Sequence, residues 1–302
     1  MGTFCEISAD ADAEVTNAAF GEISRIESVL STWRTDSELS TLNRTPAGQP
    51  ATVSQELLEL LSRSLDWSAR TEGAFNPLSG RIIEAWGLRG SGSLPEPATI
   101  LAARDSTDIG RITLDAAKRT ITRDSDGRFE EGAFGKGYAL DRAIEVLRKS
   151  GSERGYLNFG GQISLFGHSA TAIDIASPLD RSLPVVRLQL PNGSISTSSG
   201  SEKTFTMKGR TFAHIVDPRT GQALPPRGSV SVYAASAFDA DVLSTALYVL
   251  GPEAGMVWAE HNGVAALFLF PHSDGRIELQ ASSALKKLTR LESLSKTLFV
   301  KD

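Results

Sequence analysis

Apolar residues recur at helical spacing near the start of the chain. Ile23, Ile26, Leu30 and Trp33 stand three or four apart and predict a helix over 12–33. A short helix is expected over 36–43. Ser54 then suits the cap of a third helix, whose buried stripe includes Leu57, Leu58, Leu61 and Leu65. That helix runs out in Glu72-Gly73-Ala74-Phe75-Asn76-Pro77, and the Gly-, Ser- and Pro-rich stretch 88–99 reads as a surface loop. From about 111 the pattern changes: 112–114 and 120–122 read as strands joined by a turn, with a second turn at Asp126-Gly127. Gly132-Ala133-Phe134-Gly135-Lys136-Gly137 leads into a helix over 138–149. Strands are expected near 155–159, 171–176, 184–190, 211–216 and 228–235. A helix over 239–250 stops at Gly251, another opens with Pro252, and 264–270 pairs with 276–280 in a hairpin. Strands and helices mix without a tandem repeat or long linker, which predicts an α+β chain forming one domain over 1–302.

Composition narrows the function classes. The formal net charge is −5 and no Lys/Arg run occurs, which argues against a nucleic-acid partner. Cys5 is the only cysteine, so an internal disulfide and a Cys-based zinc site are excluded. No apolar stretch reaches membrane-spanning length. The opening residues Met1-Gly2-Thr3-Phe4-Cys5-Glu6-Ile7 read as the start of a strand and not as a signal peptide.

Several segments carry candidate chemistry. Asp241 and Thr245 lie four apart on a predicted helix, so a carboxylate and a hydroxyl share one face, a natural half-site for a hard cation such as Mg²⁺. An exposed carboxylate and a back-bonded hydroxyl would give the same pattern. The glycine-rich 132–137 segment precedes a helix and reads either as a structural turn or as a ligand loop, where free amides and Lys136 suit a phosphate. It lacks the Walker A spacing, and Leu140 stands where a dinucleotide fingerprint needs its third small residue. Gly160-Gly161 is either a close backbone approach or a tight turn. Ser196-Thr197-Ser198-Ser199-Gly200 reads as a hydroxyl-rich turn, a phosphate contact or a plain loop. His214, one of four histidines, reads as a hydrogen-bonded residue of an apolar strand or, beside Asp217-Pro218-Arg219-Thr220-Gly221, as a functional base.

Taken in order, these segments resemble the FAD:protein FMN transferases, the ApbE-like flavin transferases. The resemblance runs over roughly 1–251, through Met1-Gly2-Thr3, Ser31-Thr32-Trp33, Asp36-Ser37-Glu38-Leu39-Ser40-Thr41-Leu42-Asn43, Gly73-Ala74-Phe75-Asn76-Pro77 and Lys136-Gly137-Tyr138-Ala139-Leu140-Asp141. It continues through Asn158-Phe159-Gly160-Gly161, Ser198-Ser199-Gly200, His214-Ile215-Val216-Asp217-Pro218-Arg219-Thr220-Gly221 and Ala240-Asp241-Val242-Leu243-Ser244-Thr245-Ala246. It implies an ApbE-like, T-fold-related α+β architecture of mixed sheets and packed helices, with FAD in a cleft between two intimately joined lobes. The implied reaction is Mg²⁺-dependent transfer of FMN from FAD to a Ser or Thr hydroxyl of an acceptor flavoprotein, releasing AMP. By the same resemblance Met1, Trp33, Ala74, Phe75, Asn76, Glu130, Lys136 and Ile215 would line the FAD site. Asp241, Thr245 and the Ala133 carbonyl would bind Mg²⁺, and His214 would be the general base. Asn76 and Gln162 stand where Asp is usual, and Glu130 replaces an Asp. Ser198 stands for Thr, and Ser244 stands where some members place a further carboxylate. Competing readings are Mg²⁺-dependent FAD hydrolysis, an FAD carrier, and an interaction protein with a decayed site. Family members are often exported, so a periplasmic or cell-envelope location and a cytoplasmic one both stand.

Overall fold

The computed structural model describes residues 3–300. Eight strands form the main sheet: β1 (Cys5–Ala9), β2 (Gly155–Phe159), β3 (Gln162–Phe166), β4 (Gly193–Ser199), β5 (Ser229–Ala234), β6 (Ala265–Pro271), β7 (Ile277–Ala281) and β8 (Leu298–Val300). They lie side by side in chain order, each pair antiparallel except the last. Alternation along each strand sends side chains to opposite faces. Leu157, Phe159, Val230, Val232, Ala266 and Phe268 pack under the helices. Leu165, Ile195, Leu267 and Leu269 face a smaller sheet of Thr171–Ala176, Pro184–Leu190 and Leu291–Ser293.

Four helices build the layer that matters for the site. They are α1 (Ala13–Leu30), α2 (Gln55–Arg70), α3 (Gly135–Lys149) and α4 (Ala237–Leu250). Asp12 caps α1 by accepting from Val15 N at 2.8 Å, and Ser54 caps α2 by accepting from Leu57 N at 3.2 Å. Helix α1 stops at Leu30, so Trp33 falls beyond it. Ile23, Ile26 and Leu30 are buried as the stripe predicts, whereas Trp33 is 63% exposed.

Helix α4 is apolar nearly all round because it is packed between α3 and the sheet. Its position is fixed from α3. Asp141 accepts from Ser236 Oγ (2.7 Å), Ala237 N (2.7 Å) and Phe238 N (3.0 Å), satisfying amides that the first turn leaves unpaired. Gly137 permits the close approach: a Cβ there would stand 2.2 Å from the Ala237 carbonyl oxygen. The Lys-Gly-Tyr-Ala-Leu-Asp run is therefore a helix–helix joint as well as a source of Lys136.

A third cluster, Ile82, Trp86, Leu88, Ala103, Phe212, Val216 and Ala223, sits apart from the sheet. Trp86 and Phe212 rings lie 5.1 Å apart, and Phe205 stacks on Phe212 at 5.5 Å. This cluster supports the two-stranded hairpin Thr204–Met207 and Arg210–Ala213.

The structure corrects several sequence expectations. Helix α3 starts at Gly135, so Lys136 and Gly137 belong to its first turn and not to a loop before it. Residues 196–199 are the middle and end of β4 and not a turn. A helix, Pro97–Asp105, starts inside the expected 88–99 loop. Gly160 and Gly161 have φ of +61° and +92° and form the two-residue turn joining β2 to β3, the tight-turn alternative. His214 does not lie within a strand; it sits at the break between Arg210–Ala213 and Val216–Asp217.

Candidate active site

A cleft of about 280 Å³ opens between the α3–α4 layer and the third cluster. Its lining contains Trp33, Ala74, Phe75, Asn76, Glu130, Ala133, Lys136, His214, Ile215, Asp241 and Thr245, so the sequence candidates within the described residues converge on one place. Met1 lies outside the described residues.

The floor is built on α4. Asp241 is buried; its Oδ2 accepts from Gly137 N at 3.0 Å, and its Oδ1 accepts from Ser196 Oγ at 3.3 Å. Lys136 Nζ stands 4.0 Å from Oδ1. Hydroxyls continue the polar strip: Ser196 and Ser244 are 3.3 Å apart, Ser244 and Ser198 3.0 Å, Ser198 and Thr245 3.2 Å. The Gly137 amide, expected to be free for a phosphate, is thus already committed to Asp241. An all-oxygen set of one carboxylate, hydroxyls and the Ala133 carbonyl suits a hard cation. An orphaned buried oxygen on the same wall points the same way. Gln162 is 2% exposed and donates through Nε2 to Ala237 O (2.7 Å) and Ser194 Oγ (3.3 Å), leaving its Oε1 without a partner. Among the described residues no group of three or more His, Cys, Asp or Glu is placed to hold a metal.

The lip carries His214. Its Nδ1 lies 3.3 Å from the Lys203 carbonyl, which can only accept, so the proton sits on Nδ1 and the Nε2 lone pair is free. Glu202 Oε2 stands 4.0 Å from Nε2. Burial pushes the imidazole pKa below its ordinary value, with Glu202 opposing and Lys136 and Lys203 adding to the shift. The ring is therefore neutral at physiological pH, the form a base requires. The adjoining Asp217 and Arg219 do not supply chemistry to the cleft through their charges. They pair bidentately at 2.9 Å and close the turn behind His214.

The far wall holds Trp33 and a tight ionic knot. Arg89 Nη2 meets Glu130 at 2.5 Å and Thr32 Oγ1 at 2.8 Å, and its guanidinium lies 5.5 Å from the Trp33 ring centroid. Burial, reinforced by neighbouring Glu131, pushes the Glu130 carboxyl up to about 7 despite Arg89.

The family model described as the ApbE family matches residues 1–268. The chain belongs to the ApbE family. A Treponema pallidum relative named FAD:protein FMN transferase is 31% identical, covering 93% of this chain and 85% of its own. One of the same name from Klebsiella pneumoniae is 28% identical over 91% and 83%. The flavin transferase ApbE of Vibrio cholerae superposes with a TM-score of 0.82 at 28% identity, covering 95% of this chain and 96% of that one. The ApbE protein of Thermotoga maritima gives 0.86 at 25%, covering 96% of each.

Within this ApbE chain the departures have local explanations. Asn76 donates from Nδ2 to Thr107 O (2.9 Å) and accepts from Leu78 N (2.9 Å), so its amide donor ties down a loop in a way a carboxylate would not. Ala74, Phe75 and Ile215 are buried and offer the cleft backbone and apolar wall. Sequence reasoning missed Arg89, Glu202 and Lys203 on the lining. Arg89 sits in a stretch dismissed as a surface loop, and Glu202 and Lys203 are brought to His214 only by hairpin pairing across 204–213.

Proposed function

We propose that this protein is an FAD:protein FMN transferase that moves FMN from FAD to a Ser or Thr hydroxyl of an acceptor flavoprotein, with Mg²⁺ as cofactor and AMP as the leaving product. One observation carries the reading. A neutral histidine with a free Nε2 and a carboxylate–lysine–hydroxyl floor face the same cleft in a chain of the ApbE family. In this reading Trp33, Ala74, Phe75, Asn76, Glu130 and Ile215 hold FAD. Lys136 sits where it can neutralise a pyrophosphate oxygen. Asp241, Thr245 and the Ala133 carbonyl would hold Mg²⁺, which when bound supplies further charge neutralisation on the phosphates. His214 Nε2 takes the proton of the acceptor hydroxyl as it attacks the FMN phosphorus, and the P–O bond to AMP breaks. Glu202 then faces the imidazolium that forms.

The test combines FAD, Mg²⁺ and a small acceptor domain bearing a Ser/Thr flavinylation segment, with and without chelator. Covalent flavin is read by in-gel fluorescence, and AMP and free FMN by chromatography. A chelator-sensitive fluorescent acceptor band with equimolar AMP is expected. AMP with free FMN and no band for any acceptor would replace transfer with hydrolysis, and no AMP at all would reduce the protein to an FAD binder.

A further inference from the structure

The turn that follows Trp86 touches both the histidine lip and the far wall. Trp86 and Leu88 are buried in the third cluster, which also backs the hairpin leading to His214. Gly90 N and Gly92 N close the turn by donating to Gly87 O (2.9 and 3.2 Å), and Ser93 N donates to Trp86 O (2.8 Å). At Gly92 a Cβ would stand 2.4 Å from the Phe205 ring, so the hairpin presses directly on the turn. Lys203 Nζ donates to Leu88 O (3.0 Å), and the carbonyl of the same Lys203 accepts from His214 N (3.0 Å). Arg89 reaches the other way. Its Nη1 donates to Thr32 O (3.0 Å), and its Nη2 donates to Thr32 Oγ1 (2.8 Å) and to Glu130. Both terminal nitrogens are thus bonded to protein acceptors, although the residue lines the cleft.

Two buried carboxylates meet at Thr32. Glu131 accepts from its amide (3.2 Å) and its hydroxyl (2.7 Å), and the same hydroxyl lies 3.2 Å from Glu130. Arg89 places a guanidinium between Glu130 and the ring of Trp33, the residue after Thr32. Without it, two buried acids would repel one another and Thr32 would lose both guanidinium bonds.

We infer that Arg89 is a positioning residue for the dinucleotide: from a turn anchored beside the histidine lip, it pins Trp33 and Glu130 into one wall. The inference rests on the reading above, in which Trp33 and Glu130 hold FAD. Arg89 acts through these neighbours, so its loss should weaken binding and spare the chemical step.

The experiment uses the whole chain, with FAD affinity read by flavin fluorescence and transfer by steady-state kinetics. Arg89→Gln should raise both the FAD Kd and KM by about tenfold and leave kcat within about threefold. Arg89→Lys keeps the charge without the planar fork and should recover at most about a third of the lost affinity. In a Glu130→Gln background, which also relieves the acid pair if Arg89→Gln alone fails to fold, the same change should cost no more than about threefold. A fall in kcat at unchanged Kd, an equal cost in both backgrounds, or full recovery by lysine would each overturn the inference. FAD binding that responds as expected, in a protein that transfers nothing, leaves the inference standing and removes the transferase reading. A wild-type chain that binds no FAD overturns both.

Discussion

The two sides of the cleft are built in different ways. The floor stands on α4, a helix buried between α3 and the sheet, and Asp241 is held by a main-chain amide and a serine hydroxyl. The lip stands on a two-stranded hairpin backed by three aromatic rings, and His214 there is partly exposed at a break between strands. Rigid placement suits groups that must meet phosphate oxygens. In the proposed reaction, a shallower lip suits a base that meets a hydroxyl arriving on another protein. The difference teaches that the floor and the lip are separate packing units, so they should respond differently to mutation.

The largest effect should come from the floor. Asp241→Ala is expected to lower turnover on the order of 10³-fold or more while far-UV circular dichroism stays native. Full activity in that variant would break the contrast at once. On the lip, His214→Ala should cost about 10²–10³-fold in transfer and leave FAD affinity within a few fold, measured by flavin fluorescence. With the wild type, the acid limb of the rate profile should lie below the ordinary histidine range of about 6.5, because burial lowers the pKa and the neutral ring is the active one. A limb above that range would mean Glu202 outweighs burial.

Smaller effects test the joints. Gly137→Ala drives a Cβ toward the Ala237 carbonyl and should destabilise by about 1–3 kcal/mol in urea unfolding, with metal binding weakened as α4 shifts. A neutral outcome would mean the α3–α4 contact is softer than its geometry. Smallest is the ionic knot on the far wall. The Glu130 pKa is raised above its unfolded value, so its stabilising protonated form is fully present below about 4.5 and lost as pH rises through about 7. Glu130→Gln should therefore gain stability relative to wild type between pH 5 and 8, by about 1–2 kcal/mol. A pH-independent difference would show that Arg89 keeps the carboxylate ionised throughout.

Legibility in the sequence followed the physics of each element. Helices α1 and α2 declared themselves because one face is apolar and the other polar, and Ser54 marks its start in the expected way. Strand β4 did not, because Ser194, Ser196 and Ser198 turn toward a helix face that carries Asp241, Ser244 and Thr245, replacing apolar alternation with hydroxyl pairing. Trp33 fitted a helical stripe by spacing alone, but the helix had already ended at Leu30. The cleft lining was legible where motif order carried it. Arg89, Glu202 and Lys203 were not, since their part depends on contacts between segments far apart in the chain, such as Arg89 with Glu130 and Lys203 Nζ with the Leu88 carbonyl.

The chain-order arrangement of the main sheet has a consequence for how such a protein can diversify. Residues 10–154, 200–228 and 235–264 are three excursions between successive strands, and they bring Trp33 with Arg89 and Glu130, His214, and Asp241 with Thr245 to the cleft respectively. The segment carrying His214 leaves and re-enters the sheet between β4 and β5, whose register from Ser194 with Ala234 to Ser199 with Ser229 lies outside it. A change of length or sequence within 200–228 is therefore expected to leave that ladder in register.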